Sequence, residues 1–348
     1  MNKKIKLKAV LVILVVSVLF LSACSSTPTN GANAAGEEQV YTLKLASAIG
    51  DWTNLFVGAE DFKRAVEERS EGRIKVELFP DAQLGDEREI LESLQTGNIE
   101  LAYASTITFN SFDERIMFLD LPYLFEDYDE AEKAMDGTIG DAARDVMIDK
   151  GVRPLAFGHG EFRWINSRNK PISVPSDMKG TQFRVPLSNI LVKYYTSMGV
   201  NAVTMGNSEV YTALQQGVVD GYDNGAELVL LQKFYENTKY STMTNHNYYP
   251  MTVSVSEKVW NTLPEDLQSI LESEAQNAME AERQAFKNAV PDNIQKLKDN
   301  GIEIIELSEA EKEQWRQAAQ PLYDQIADVV GEELYQLVLE EKENDFSK

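Results

Sequence analysis

Residues 208–224 read SEVYTALQQGVVDGYDN. The stretch predicts a short amphipathic helix stopped by Gly217, then an apolar strand edge at Val218 and Val219. That edge runs into Asp220, Asp223 and Asn224. Polar groups at the end of a buried strand in an α/β sheet are where ligands sit.

Upstream, the periodicity alternates between strand and helix. Tyr41, Leu43 and Leu45 alternate with polar neighbours, and Leu55, Ala59, Phe62 and Val66 share one face of a helix. Ile74, Val76 and Leu78 alternate again before Pro80. A second helix over 86–96 is closed by Gly97, and 99–104 reads as a third strand. A second set begins near Pro154: FRWIN, TQFRVP, a helix through Tyr194, a strand over 200–203, then the quoted segment. Strands alternating with helices predict parallel pairing through crossovers, and two such sets predict two α/β lobes. Thr262 with Glu265 reads as a capping box opening a long helix through Leu267, Leu271, Ala275, Ala278, Ala285 and Ala289, which Pro291 is expected to kink or interrupt.

The N-terminus speaks to compartment. Lys3, Lys4, Lys6 and Lys8 precede an apolar run over 9–21, too short for a stable span of roughly 20 residues and suited to a signal peptide. It ends in Leu21-Ser22-Ala23-Cys24, which resembles the lipobox of bacterial lipoproteins. Cys24 is the sole cysteine, so no internal disulfide forms, and lipidation of its thiol is expected. Residues 25–39 have linker composition. The formal charge of −23 argues against nucleic acid as a partner. No dinucleotide fingerprint, phosphate loop or G-x-S-x-G elbow is present, and His159 and His246 lack metal-ligand spacing, so no cofactor, metal or enzymatic activity is expected.

The 208–224 segment resembles the E-V-Y-x-A-L-Q-x-G-x-V-D-G-x-E-N signature of solute-binding proteins of TRAP (tripartite ATP-independent periplasmic) transporters. It departs at Tyr222-Asp223, where Gln-Glu is usual, and at Gly225, where Pro is usual. GRIKVELFPDAQLGDEREILESLQTG, DLPYLF, DMKGTQFRVP, MTNHNYYP and LPEDLQ are similar to family segments in the same order. The resemblance implies an α/β, two-lobed, periplasmic-binding-protein-like fold, with the ligand in the interdomain cleft and a long helix bridging the lobes. The expected division is a signal peptide at 1–23, an acylated linker at 24–40, lobe I at 41–160 plus 250–289, and lobe II at 161–249 plus 290–348.

Arg184 stands between Phe183 and Val185 in an otherwise apolar strand and needs an anionic partner there, either a structural acid or a ligand carboxylate. The resemblance places a ligand-gripping arginine at this position. Arg163 is similar to the family's second arginine, although Glu161 stands where glycine is usual and is itself a possible partner. Asn224 matches the closing asparagine of the signature, with capping of the next helix as its ordinary alternative. Ser105, Asn207 and Glu87 fall where relatives carry ligand-contacting or cleft-wall residues. Trp52 is either a cleft wall or core packing.

The implied function is capture of an organic acid by a lipid-anchored extracytoplasmic receptor and delivery to a TRAP permease. A sugar acid such as a uronate or aldonate is favoured over a C4-dicarboxylate. A receptor presenting the acid to a sensor kinase is the alternative; an extracellular enzyme on an α/β scaffold is a more distant one.

Overall fold

The computed structural model describes residues 39–50 and 53–346; Cys24 and Trp52 lie outside them. The chain builds two sheets. The first contains β1 (Tyr41–Ser47), β2 (Ile74–Phe79), β3 (Leu101–Ser105), β4 (Val152–Phe162) and β10 (Tyr248–Ser256), in the order β2-β1-β3-β10-β4. The second contains β5 (Trp164–Ser167), β6 (Gln182–Val185), β7 (Asn201–Thr204), β8 (Gly221–Asn224), β9 (Tyr240–Thr242) and β11 (Glu303–Ile305), in the order β11-β9-β5-β8-β6-β7. Around the first sheet lie α1 (Ala59–Arg69), α2 (Glu87–Thr96), α3 (Thr106–Phe109), α4 (Tyr128–Asp136) and α5 (Thr138–Ile148). Then come α6 (Asn189–Ser197), α7 (Asn207–Gln216), α8 (Ala226–Leu231), α9 (Glu257–Trp260), α10 (Glu265–Asp299), α11 (Glu309–Val330) and α12 (Glu332–Glu343).

The alternation seen in the sequence sets the register: Leu43 pairs with Val76 and Leu45 with Leu78, all on parallel strands. Parallel pairing does not extend throughout. β10 runs antiparallel to β3 and β4, and β5 runs antiparallel to β8 and β9. Both are strands by which the chain passes from one sheet to the other, so no helical crossover sets their direction. The passages lie side by side: Arg163 N–H donates to Asn247 O at 2.7 Å, and Trp164 Nε1 to Asn245 Oδ1 at 2.8 Å.

The 35-residue α10 is the third connection, about 50 Å long at the helical rise. Leu267, Leu271 and Ala275 belong to the core of the first lobe, whereas Leu297 packs in the second with Val210, Leu214 and Tyr222. Pro291 does not interrupt the helix; a proline removes one N–H, and packing holds the helix on both sides of it. Thr262 is not the N-cap. The helix opens at Glu265 after Pro264, and Thr262 Oγ1 donates to Val259 O at 2.7 Å. Residues 290–348 are shared between lobes. Trp315 of α11 donates through Nε1 to Ser173 O, while Tyr323 reaches Pro122 O and α12 packs against α5.

The quoted segment folds as α7, Gly217 and β8, with one difference. Val218 and Val219 both lie outside the strand, which begins at Gly221; Val218 is 48% exposed, whereas Val219 is buried in the second lobe's core. Gly217 is left-handed at φ 71°, and N–H groups of Gly217 and Val218 close the helix on Leu214 O and Ala213 O. Val218 thus belongs to the helix terminator.

His159, fully buried on β4, faces Tyr248 Oη through Nδ1 at 2.8 Å, while its Nε2 makes no hydrogen bond. Burial, with the nearby cations Arg283 and Lys287, pushes its pKa from 6.5 to about 3. The folded state keeps the ring neutral while the unfolded chain protonates it. Its contribution to stability is therefore present above pH 6.5 and is lost as pH falls toward 3. Between neutrality and pH ~5 we expect a loss of about 2 kcal/mol that His159→Gln lacks. Urea unfolding of both proteins at the two pH values checks this, and identical pH slopes would contradict it.

Candidate functional site

A cleft of about 220 Å³ opens between the lobes, lined by groups from both sheets and from the passage at Arg163. From the first lobe come Glu87, Ser105, Thr108 and Tyr249; from the second come Arg184, Met205, Asn207 and Asn224. Six residues singled out from sequence, Arg184, Arg163, Asn224, Asn207, Ser105 and Glu87, line this one space.

Arg184 lies on β6 between Phe183 and Val185, which turn into the core as strand alternation requires. Arg184 is 3% exposed. Nε and Nη2 both donate to the backbone carbonyl of Met205, at 3.1 and 2.9 Å. Nη1 has no hydrogen-bond partner and sits 3.7 Å from Asp223 Oδ1. The side edge of the fork is thus occupied, and its end, Nη1 with the second N–H of Nη2, is the part a ligand would meet. Burial pushes its pKa down to about 10; Asp223 opposes this and Arg163 adds to it. It remains a cation at neutral pH.

Arg163 is buried at the first passage. Nη1 donates to Asp223 O at 2.9 Å and Asn224 Oδ1 at 3.1 Å, and lies 3.3 Å from Asp223 Oδ1. Its Cζ stands 4.6 Å from the Tyr249 ring centroid, a cation–π contact, and Nε has no partner. Glu161 is not its partner. The Glu161 carboxylate caps α8, accepting from Glu227 N at 2.7 Å and Leu228 N at 3.2 Å. A Cβ on Gly225 would come within 2.3 Å of Glu161 Oε1. Glu161 and Gly225, two departures from family wording, are therefore one steric arrangement.

Asp223, fully buried on β8, is the acid the arginines share. Its Oδ2 accepts from Tyr195 Oη at 3.0 Å, and Tyr195 is in turn 2.8 Å from His246 Nε2. Burial pushes the carboxyl up, but Arg163, the His246 ring and Arg184 outweigh this and hold it below the ordinary carboxylate range. In the sequence Asp223 stands out only as a strand-end acid. Its burial beside two arginines was the missing signal.

Asn224 does not cap α8, whose N-cap is Gly225. Its Oδ1 takes Arg163, and its Nδ2 donates to Asn207 Oδ1 at 3.0 Å. On the opposite wall, Glu87 opens α2. Oε1 accepts from Ser105 N at 2.6 Å; Oε2 accepts from Ser105 Oγ at 2.9 Å and from Thr108 Oγ1. Among the described residues, no group of three or more His, Cys, Asp or Glu side chains is arranged to hold a metal.

Two α/β lobes, three connections between them and a cleft walled by buried arginines define a solute-binding protein. The profile of the bacterial extracellular solute-binding protein family 7 matches residues 45–328, and the chain belongs to that family, as a TRAP solute-binding protein. It is similar to the C4-dicarboxylate-binding periplasmic protein DctP of Vibrio cholerae, at 32% identity over 81% of this chain and 85% of the relative. Among solved structures, a TRAP periplasmic solute-binding protein of Sulfurospirillum deleyianum with bound succinate superposes with TM-score 0.81, at 31% identity, covering 86% of this chain and 99% of that one. One from Haemophilus influenzae with bound L-gulonate gives TM-score 0.82 at 31% identity, covering 86% and 99%.

Proposed function

We propose that the protein is a lipid-anchored extracytoplasmic receptor that captures an organic acid and delivers it to a TRAP permease. The observation that carries this reading is the buried Nη1 of Arg184, unpartnered beside a cluster of two guanidiniums and one carboxylate. A ligand carboxylate supplies the missing acceptor and the second negative charge. The bound acids of the similar structures, succinate and L-gulonate, support the same chemistry.

A sugar acid such as an aldonate or uronate is favoured, with a C4-dicarboxylate next. Asn207, Asn224, Ser105, Thr108 and Glu87 give the cleft hydrogen-bonding walls suited to several hydroxyl groups. Its volume, below the ~300–1,000 Å³ of drug-sized sites, suits a small metabolite. Calorimetric titration with aldonates, uronates and C4-diacids tests the reading, which fails if no acid of either class binds.

Asn207→Phe replaces an amide wall by an apolar one and removes the acceptor of Asn224 Nδ2. We expect it to cost sugar-acid binding about 1–3 kcal/mol, with a much smaller loss for succinate. Equal losses for both classes would mean that position 207 does not choose between them.

The anchor is assigned to Cys24. Cys24→Ala is expected to leave the receptor folded and release it from washed membranes into the soluble fraction. Persistent membrane association of the variant would remove the lipid from the account.

A further inference from the structure

Arg163, Arg184, Asn224 and Ser105 are all buried. A ligand reaches them only when the lobes part, so whatever holds the lobes together governs how long it stays. Two carboxylates, Glu161 and Glu227, cross the lobe boundary in opposite directions, and neither lines the cleft itself. Glu161, near the end of β4 in the first sheet, accepts from the Glu227 and Leu228 amides of α8 in the second lobe. Glu227 reaches back from α8 to the segment that follows β1. Its Oε1 accepts from Asn54 N at 2.7 Å and its Oε2 from Asn54 Nδ2 at 3.3 Å. Oε2 also takes Asn293 Nδ2 of the bridging helix α10 at 3.4 Å. Alongside, Ile49 of the first lobe packs with Leu228 and Phe286.

Both acids are 2% exposed and line one cavity of about 70 Å³. Around them stand Arg163 at the passage, Tyr128 of α4, Tyr249 of β10 and Glu282 of α10. The one cation among these, Arg163, already lies against Asp223. Burial first, and then the Glu227 charge, push the Glu161 carboxyl from 4.5 to about 8, against the two amides and Arg163.

We infer that Glu161 and Glu227 form a clasp that fastens the lobes over the captured acid and takes up a proton as it closes. This rests on the carboxylate-receptor reading and deepens it, since the clasp sets how long the acid is retained. Parting the lobes draws α8 from Glu161 and admits water, which returns its carboxyl toward the ordinary range. Between 4.5 and about 8 the closed form therefore holds a proton that the open form has lost. Closing is favoured at lower pH and weakens as pH rises toward 8.

The test follows dissociation of D-gluconate, D-galacturonate or succinate, whichever binds, by stopped flow at about pH 6.5 and about pH 8. The wild type should release the acid about tenfold faster at the higher pH. Encounter precedes closure, so association should change little. Calorimetry at the lower pH in two buffers of different ionisation enthalpy should count about one proton taken up per acid bound. Glu161→Gln should flatten the pH profile. Glu227→Ala, with no acceptor for Asn54, should release the acid about tenfold faster or more at the lower pH. A folding defect alone would reduce the active fraction without changing that rate. Equal wild-type release at the two pH values, an unchanged slope in Glu161→Gln, or wild-type release from Glu227→Ala overturns the clasp and leaves the receptor reading intact. If a variant does not fold, the wild-type pH profile and proton count decide alone. If none of these acids binds, the receptor reading fails and the clasp fails with it.

Discussion

Arg184→Ala is expected to weaken binding of the cognate acid by about 2–5 kcal/mol, thirtyfold to several thousandfold in Kd. The magnitude follows from burial. The guanidinium is out of water, two of its nitrogens are fixed on the Met205 carbonyl, and the third has no other acceptor. A ligand oxygen at Nη1 therefore meets a desolvated, preoriented donor. Arg184→Lys should also bind poorly, because one ammonium cannot hold the Met205 carbonyl and present a planar end to a carboxylate. Isothermal titration with the acid that binds the wild type checks both variants, and unchanged affinity in either would remove Arg184 from the binding account.

The second large effect is on the folded state. Asp223→Ala would leave Arg163 and Arg184 without the carboxylate that approaches both, at 3.3 and 3.7 Å. Removing one member of a buried charge cluster costs about 3–5 kcal/mol, chiefly because the remaining charges stay desolvated. Asp223→Asn keeps an oxygen for Tyr195 Oη but not the charge, so it should fall between wild type and Asp223→Ala. Urea unfolding of the ligand-free proteins measures this. A midpoint within error of wild type for Asp223→Ala would show that the guanidiniums do not depend on their shared acid.

Why the sequence revealed some of this site and concealed the rest has physical causes. Arg184 was visible because a cation between Phe183 and Val185 contradicts its surroundings, and Asn224 because polar groups ending a buried strand mark the mouth of an α/β sheet. Met205 was invisible, since its contribution is a backbone carbonyl that any residue could supply. Tyr249 comes to Arg163 only through the adjacent passages between the sheets, a contact between residues far apart in the chain. The antiparallel direction of β5 is hidden in the sequence for a related reason. Periodicity reports which face of a strand is buried, not the side from which the chain enters. Val218 and Val219 read as strand because apolar residues after a helix-ending glycine serve a Schellman turn and the core beneath it as readily as a sheet.

The central claim is that the cleft recognises a carboxylate, and thermal unfolding with D-gluconate, D-galacturonate or succinate, each set against its amide, tests it most directly. At a hundredfold excess over Kd, a ligand that binds only the folded state stabilises it by about 2.7 kcal/mol. The account predicts that at least one of these acids raises the unfolding midpoint, that its amide of the same shape does not, and that Arg184→Ala abolishes the difference. Equal stabilisation by an acid and its neutral amide would contradict it.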